Sequence, residues 1–186
     1  MKRILLLVIL CVYLTGCSHE NQHLDRALSL RQKLLNGAGC QFKAEITADY
    51  GQELYSFVMD CKTDQNGAVR FCVIEPESIS NITGVIEQGN GKLTFDDKAI
   101  AFSMLADGQL SPISAPWVMM QALRGGYIDC CAHWENGMEL MVDDSYEEDA
   151  LHLDIKLNES DCPVYAEILW DERRVLSVKV NDFIFL

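Results

Sequence analysis

Six cysteines, Cys40, Cys61, Cys72, Cys130, Cys131 and Cys162, have the widest chemical scope in this chain. Thiolates ligate metals, act as nucleophiles or join as disulfides. "CCAH" sets Cys130, Cys131 and His133 in a row, but zinc sites usually separate two thiolates by two to four residues so that both reach the ion. Neighbours on a strand point to opposite faces, so metal ligation is not the expected use. His19, His23, His133 and His152 complete the nucleophile-activating residues, yet no G-x-S-x-G, H-E-x-x-H or P-loop frames them. Acids such as Glu139 and Asp154 alternate with apolar neighbours, as outward strand positions do, and no carboxylate couple stands out. The stretch "VDDSYEEDA" (Asp143-Asp144, Glu147-Glu148-Asp149) matches no EF-hand loop and reads as a solvated charged turn, with calcium as the alternative. No catalytic residue, metal or cofactor is assigned, and an enzyme is not expected.

The other two cysteines, Cys11 and Cys17, lie in or beside an apolar leader. Lys2 and Arg3 precede a run from Ile4 to Leu14, too short for the roughly 20 apolar residues a spanning helix needs. Its end, Leu14-Thr15-Gly16-Cys17, resembles the bacterial lipobox. The resemblance implies that residues 1–16 are a lipoprotein signal peptide and that Cys17 becomes an N-terminal diacylglyceryl cysteine carrying palmitate-type chains. Two or three chains, at roughly 0.8 kcal/mol per buried methylene, anchor stably where one does not. The expected location is the cell envelope, on the extracytoplasmic side of a membrane; in a two-membrane cell, Ser18 would direct sorting outward.

Beyond the leader, Lys+Arg falls from 15 to 13 against 28 Asp+Glu, a formal charge of −15. That balance opposes nucleic acid or an anionic lipid surface as electrostatic partners. Outside the cytoplasm the even count of six cysteines allows up to three disulfides in fifteen connectivities. In "DCKTDQNGAVRFC" a two-residue Asn66-Gly67 turn would set Cys61 opposite Cys72. The apolar alternation of Phe57, Met59 and Cys61 against Val69, Phe71 and Val73 instead demands a register shifted by one, with the two cysteines on opposite faces. A bulge could reconcile the two.

Residues 20–36 read as a helix with Leu24, Ala27, Leu28, Leu34 and Leu35 on one stripe, stopped at Asn36-Gly37. The period then becomes two. Runs at 40–50, 53–61, 68–75, 82–88, 92–96 and 99–105 lead to a short helix near Trp117–Leu123, and five more runs follow to the end. The expected fold is α+β, mainly β, in one domain over 17–186. It is a long curled antiparallel meander of ten or eleven strands, packed as a half-barrel on an N-terminal helix and a short mid-chain helix.

This order of elements resembles the LolA/LolB-like lipoprotein-carrier fold, as do "NGAVRFCVIEP" and the closing "PVYAEILWDERRVLSVKVNDF". The resemblance spans about residues 20–186 as a pattern. It implies a half-barrel whose apolar concave face takes up acyl chains, with Arg70 on the strand matching the one that carries the cavity arginine of the soluble carriers. The six additional cysteines depart from those carriers. Phe57, Met59, Phe71, Phe95, Trp117, Met119 and Met120 are the candidate lining of a cavity for an apolar or lipid-like ligand, since methionine adapts to varied apolar shapes. Met119 and Met120 are the expected lid. The alternative is an envelope interaction lipoprotein with a packed core and no ligand; its protein partner is not identified by the sequence.

Overall fold

The computed structural model describes residues 18–87, 105–106 and 110–186, with side chains from residue 22 onward. Helix α1 (Ser18–Asn36) leads into strands β1 (Cys40–Asp49), β2 (Leu54–Thr63), β3 (Val69–Glu75) and β4 (Thr83–Ile86). Helix α2 (Ala115–Gly125) then precedes β5 (Tyr127–Trp134), β6 (Gly137–Asp143), β7 (His152–Leu157), β8 (Pro163–Trp170) and β9 (Arg173–Phe185). Two expected strands, at 92–96 and 99–105, fall wholly or mostly outside the described residues.

The nine strands form one antiparallel sheet in the order β4-β3-β2-β1-β9-β8-β7-β6-β5, open at β4 and β5 among the described residues. It is mainly β and half-open, as the pattern predicts, but it is not a single meander. Two meanders, β1–β4 and β5–β9, meet where the last strand pairs with the first, Ala44 facing Val180 and Ile46 facing Val178. Local turn signals report only consecutive pairings, so this central contact is a tertiary choice.

Alternation builds the two faces. On β1, Phe42, Ala44, Ile46 and Ala48 are buried while Gln41, Lys43, Glu45 and Thr47 point the other way. The inner face is covered in its second half by α2, which lies across β6–β9 and against α1. In α1 the buried stripe is Ala27, Leu30 and Leu34; the expected Leu24, Leu28 and Leu35 are exposed instead. The helix thus docks through a face rotated from the one its leucines favour. Gly39 permits the entry to β1: at φ +127° it sits where a Cβ would lie 2.1 Å from the Thr63 carbonyl oxygen.

The β2–β3 connection settles the register. Asp64 accepts hydrogen bonds from the Asn66 and Ala68 N–H groups through Oδ1, at 2.9 and 3.0 Å, and Gly67 takes φ +86°. The loop therefore spans 64–68, Thr63 faces Val69, and Cys61 faces Phe71. Cys72 faces Asp60 on the other side of the sheet. Burial of Phe71 and Val73 wins over a two-residue Asn-Gly turn, and Cys61 and Cys72 are not opposed.

Candidate functional site

Phe57, Met59 and Phe71 stand on the inner face of β2 and β3, at most 4% exposed. Met119 and Met120, on α2, are at most 1% exposed, and Trp117 is half-buried against the same core. The core is continuous: Phe57, Met59 and Phe71 lie on β2 and β3, and α2 packs on β6–β9 and reaches the β2–β3 loop. Phe95 and Cys17 lie outside the described residues. Arg70 is on the outer face of β3, exposed, so it does not take the place of a cavity arginine.

Helix α2 is tied at one end. Arg31 donates from Nε to the Leu123 carbonyl at 3.1 Å and from Nη2 to that of Gly126 at 2.7 Å. Gln121 donates to the Gly67 carbonyl at 3.0 Å, and Arg124 to those of Gln65, at 2.9 Å, and Leu34. These bonds all fall on residues 121–126. Beside the helix is a cleft of about 260 Å³, lined by Trp117, Val118, Gln121, Ala122, Gly125, Gly126 and Asp144. The Trp117 indole N–H is shielded there without a hydrogen-bond partner. Burial pushes the Asp144 carboxyl up, although its Oδ1 accepts from the Leu151 N–H at 2.8 Å.

A larger cleft, about 530 Å³, lies at the β9-β1-β2-β3 end of the sheet. Its lining takes neighbours in triplets, Gln41-Phe42-Lys43, Asp60-Cys61-Lys62 and Arg70-Phe71-Cys72, with Asp182 and Ile184 at the side. Triplets mean that the sheet backbone is its floor, and the outward residues Gln41, Lys43, Asp60, Lys62, Arg70 and Cys72 are its walls. Bulges in the β1–β9 and β2–β3 pairings bend this end, the former with Asp182 at φ +54°. Sequence reasoning did not single out Lys43 or Lys62, and it named Arg70 only for the apolar cavity. Their signal was present: once the apolar register of β2 and β3 is adopted, all three fall on the outward parity.

None of the six candidate cysteines is joined in a disulfide. Cys40 and Cys61 are buried on the inner face; burial pushes the Cys40 thiol up to about 11 and the Cys61 thiol further. Cys130 faces Met141 and Cys131 faces buried Leu140, so the neighbours point to opposite faces as their strand position demands. Cys162 lies in the turn before β8. Among the described residues no group of three His, Cys, Asp or Glu is placed to hold a metal.

His152 stands between Asp143, at 2.7 Å, and Asp154, at 3.2 Å. Burial lowers its pKa, but the two carboxylates outweigh that and raise it overall. The His133 ring lies 6.2 Å from that of His23, between centroids. In the acidic β6–β7 connection, Asp143 is held by His152, Asp144 by the Leu151 backbone, and Tyr146 is 82% exposed. No described helix is long and apolar enough to cross a membrane.

No protein-family model and no curated relative matches the sequence. Among solved structures the chain is similar to a DUF1329 family protein from Desulfovibrio piger, at 6% identity and TM-score 0.40, covering 89% of this chain and 92% of that one. It is similar to MucB at 10% identity and TM-score 0.43, covering 85% of this chain but 58% of MucB. A LolA superfamily protein from Nitrosomonas europaea aligns at 8% identity and TM-score 0.37, over 84% of this chain and 92% of that one. Its structural neighbours thus include members of the LolA superfamily, whose fold the sequence pattern resembles.

Proposed function

We propose that this chain is an extracytoplasmic lipoprotein, anchored at Cys17 in a membrane of the cell envelope, that binds an apolar or lipid-like ligand between its sheet and helices. The observation carrying this reading is the uneven attachment of α2. Its C-terminal half is fixed by Arg31, Gln121 and Arg124, whereas Trp117 and Val118 rest on apolar packing beside the 260 Å³ cleft. A helix hinged at one end can lift the other without breaking a described side-chain hydrogen bond. Met119 and Met120 beneath it are side chains that re-pack around varied apolar shapes. The reading is of a binding protein and assigns no catalytic residue.

A second reading draws on the same core. Phe57, Met59, Met119 and Met120 are each at most 3% exposed, which suits a packed interaction lipoprotein that docks an envelope partner. Native mass spectrometry of a soluble form beginning after Cys17, extracted from cells, separates the two. The ligand reading expects an apolar adduct and uptake of a fluorescent fatty acid, reduced when Trp117 is changed to Ala. A clean apo mass without uptake sinks it in favour of the packed module.

A further inference from the structure

The outer face is wired by register. Glu45 faces Lys179, Glu139 faces Lys156 and Asp143 faces His152, each pair also within ion-pair distance. Asp154 and Glu167 are a like-charged couple across β7 and β8, but His152 matches the first and Arg174 the second. Lys62 and Arg70 break this pattern. They are direct cross-strand partners, both exposed, both cationic, and like charges so placed repel.

Neither has a compensating partner among the described residues. Among the described residues Lys43, Lys62 and Arg70 make no side-chain hydrogen bond or ion pair, although Asp60 and Asp182 line the same cleft. Three cations against two carboxylates make this cleft net positive on a mature chain of formal charge −15. Its volume, about 530 Å³, falls in the range of small-molecule sites. A repulsive pair kept on the wall of a cleft that size is relieved by an anion between the two side chains. A guanidinium fork beside an ammonium suits a tetrahedral oxyanion, because the fork donates two parallel N–H bonds while the ammonium adds a point charge.

We propose that this outer-face cleft binds a phosphate-bearing ligand, held by Lys62 and Arg70 with Lys43 at its side. It lies on the opposite face of the sheet from the apolar site proposed above and does not depend on it. The phosphate comes from a soluble phosphomonoester or from an anionic lipid headgroup.

The test uses the full chain in detergent, titrated calorimetrically with glycerol 3-phosphate and, separately, with mixed micelles containing phosphatidylglycerol or only phosphatidylcholine. Binding of glycerol 3-phosphate supports the site and assigns a soluble ligand; binding confined to phosphatidylglycerol micelles supports it and assigns the headgroup. The Lys62→Gln/Arg70→Gln pair is expected to lose at least tenfold in affinity, and Asp60→Asn to tighten binding a few-fold by removing a competing carboxylate. Absence of binding in every arm, or affinity unchanged in the double variant, overturns the proposal. So does a lowered melting temperature of the double variant, because a repulsive pair should raise it when removed.

Discussion

Along β1 the two faces of the sheet alternate residue by residue and obey different physics. Ala44, Ile46 and Ala48 have no exposed surface and face a continuous apolar core. Lys43, Glu45 and Thr47, one residue away, meet solvent, and Glu45 reaches Lys179 at 3.3 Å. The inner face draws its stability from area removed from water, about 25 cal/mol per Å². The outer face carries ion pairs, each contributing about 0–1 kcal/mol in water. A defect inside therefore removes a large part of the domain's stability, while a charge arrangement outside remains free to serve recognition.

The sharpest way to break this comparison is chemical. Cys61 and Cys72 sit on adjacent strands but on opposite faces, and burial also suppresses the Cys61 thiolate. Alkylation followed by peptide mapping is expected to modify Cys72 on the order of a thousandfold faster, because Cys61 reacts only when the core opens. Equal rates would mean that the two faces are not distinct. Next in size, Ile46→Ala should cost about 2–5 kcal/mol in denaturant unfolding, and Glu45→Ala less than about 0.5. Matching losses at the two neighbours would refute the division.

Arg31 sharpens the inner face. Burial lowers the pKa of its guanidinium, which caps the end of α2 through the Leu123 and Gly126 carbonyls. Arg31→Ala is expected to cost about 1–3 kcal/mol and to speed hydrogen exchange at residues 121–126. Protection unchanged there would show that apolar packing alone holds the helix.

A small, pH-dependent effect belongs to the outer face. His152 has its pKa raised in the folded state, so its contribution is fully present below the unfolded value of about 6.5 and disappears as pH rises through the folded one. Since the side chain is 38% exposed, the contribution is under about 1 kcal/mol. Melting curves of the chain and of His152→Gln should diverge at pH 5.5 and converge at pH 8.5; divergence growing with pH would reverse the sign.

Much of this was legible beforehand. Period-two alternation set nearly every described strand, and Asn36-Gly37 set the end of α1, because local patterning decides which side of a segment is buried. The stripe on α1 was less legible: Leu30 is buried and Leu28 is not, since a helix with leucines on several faces turns toward the partner that tertiary packing supplies. The described members of the candidate lining fall on buried or half-buried apolar positions, but which strands and helix bring them together was invisible without the strand order. The outer cleft was missed because Lys43, Lys62 and Arg70 are ordinary polar-parity residues until register sets two of them opposite one another.

By itself the sequence determined the element types, the two-faced strands, the acidic charge and the lipobox-like end of the leader, all of which depend on neighbours within a few residues. Only the tertiary structure decided that β9 joins β1, that α2 lies over β6–β9, and that Lys62 faces Arg70. Those choices pair residues far apart in the chain, where the closure of long loops is offset by burying a whole face at once.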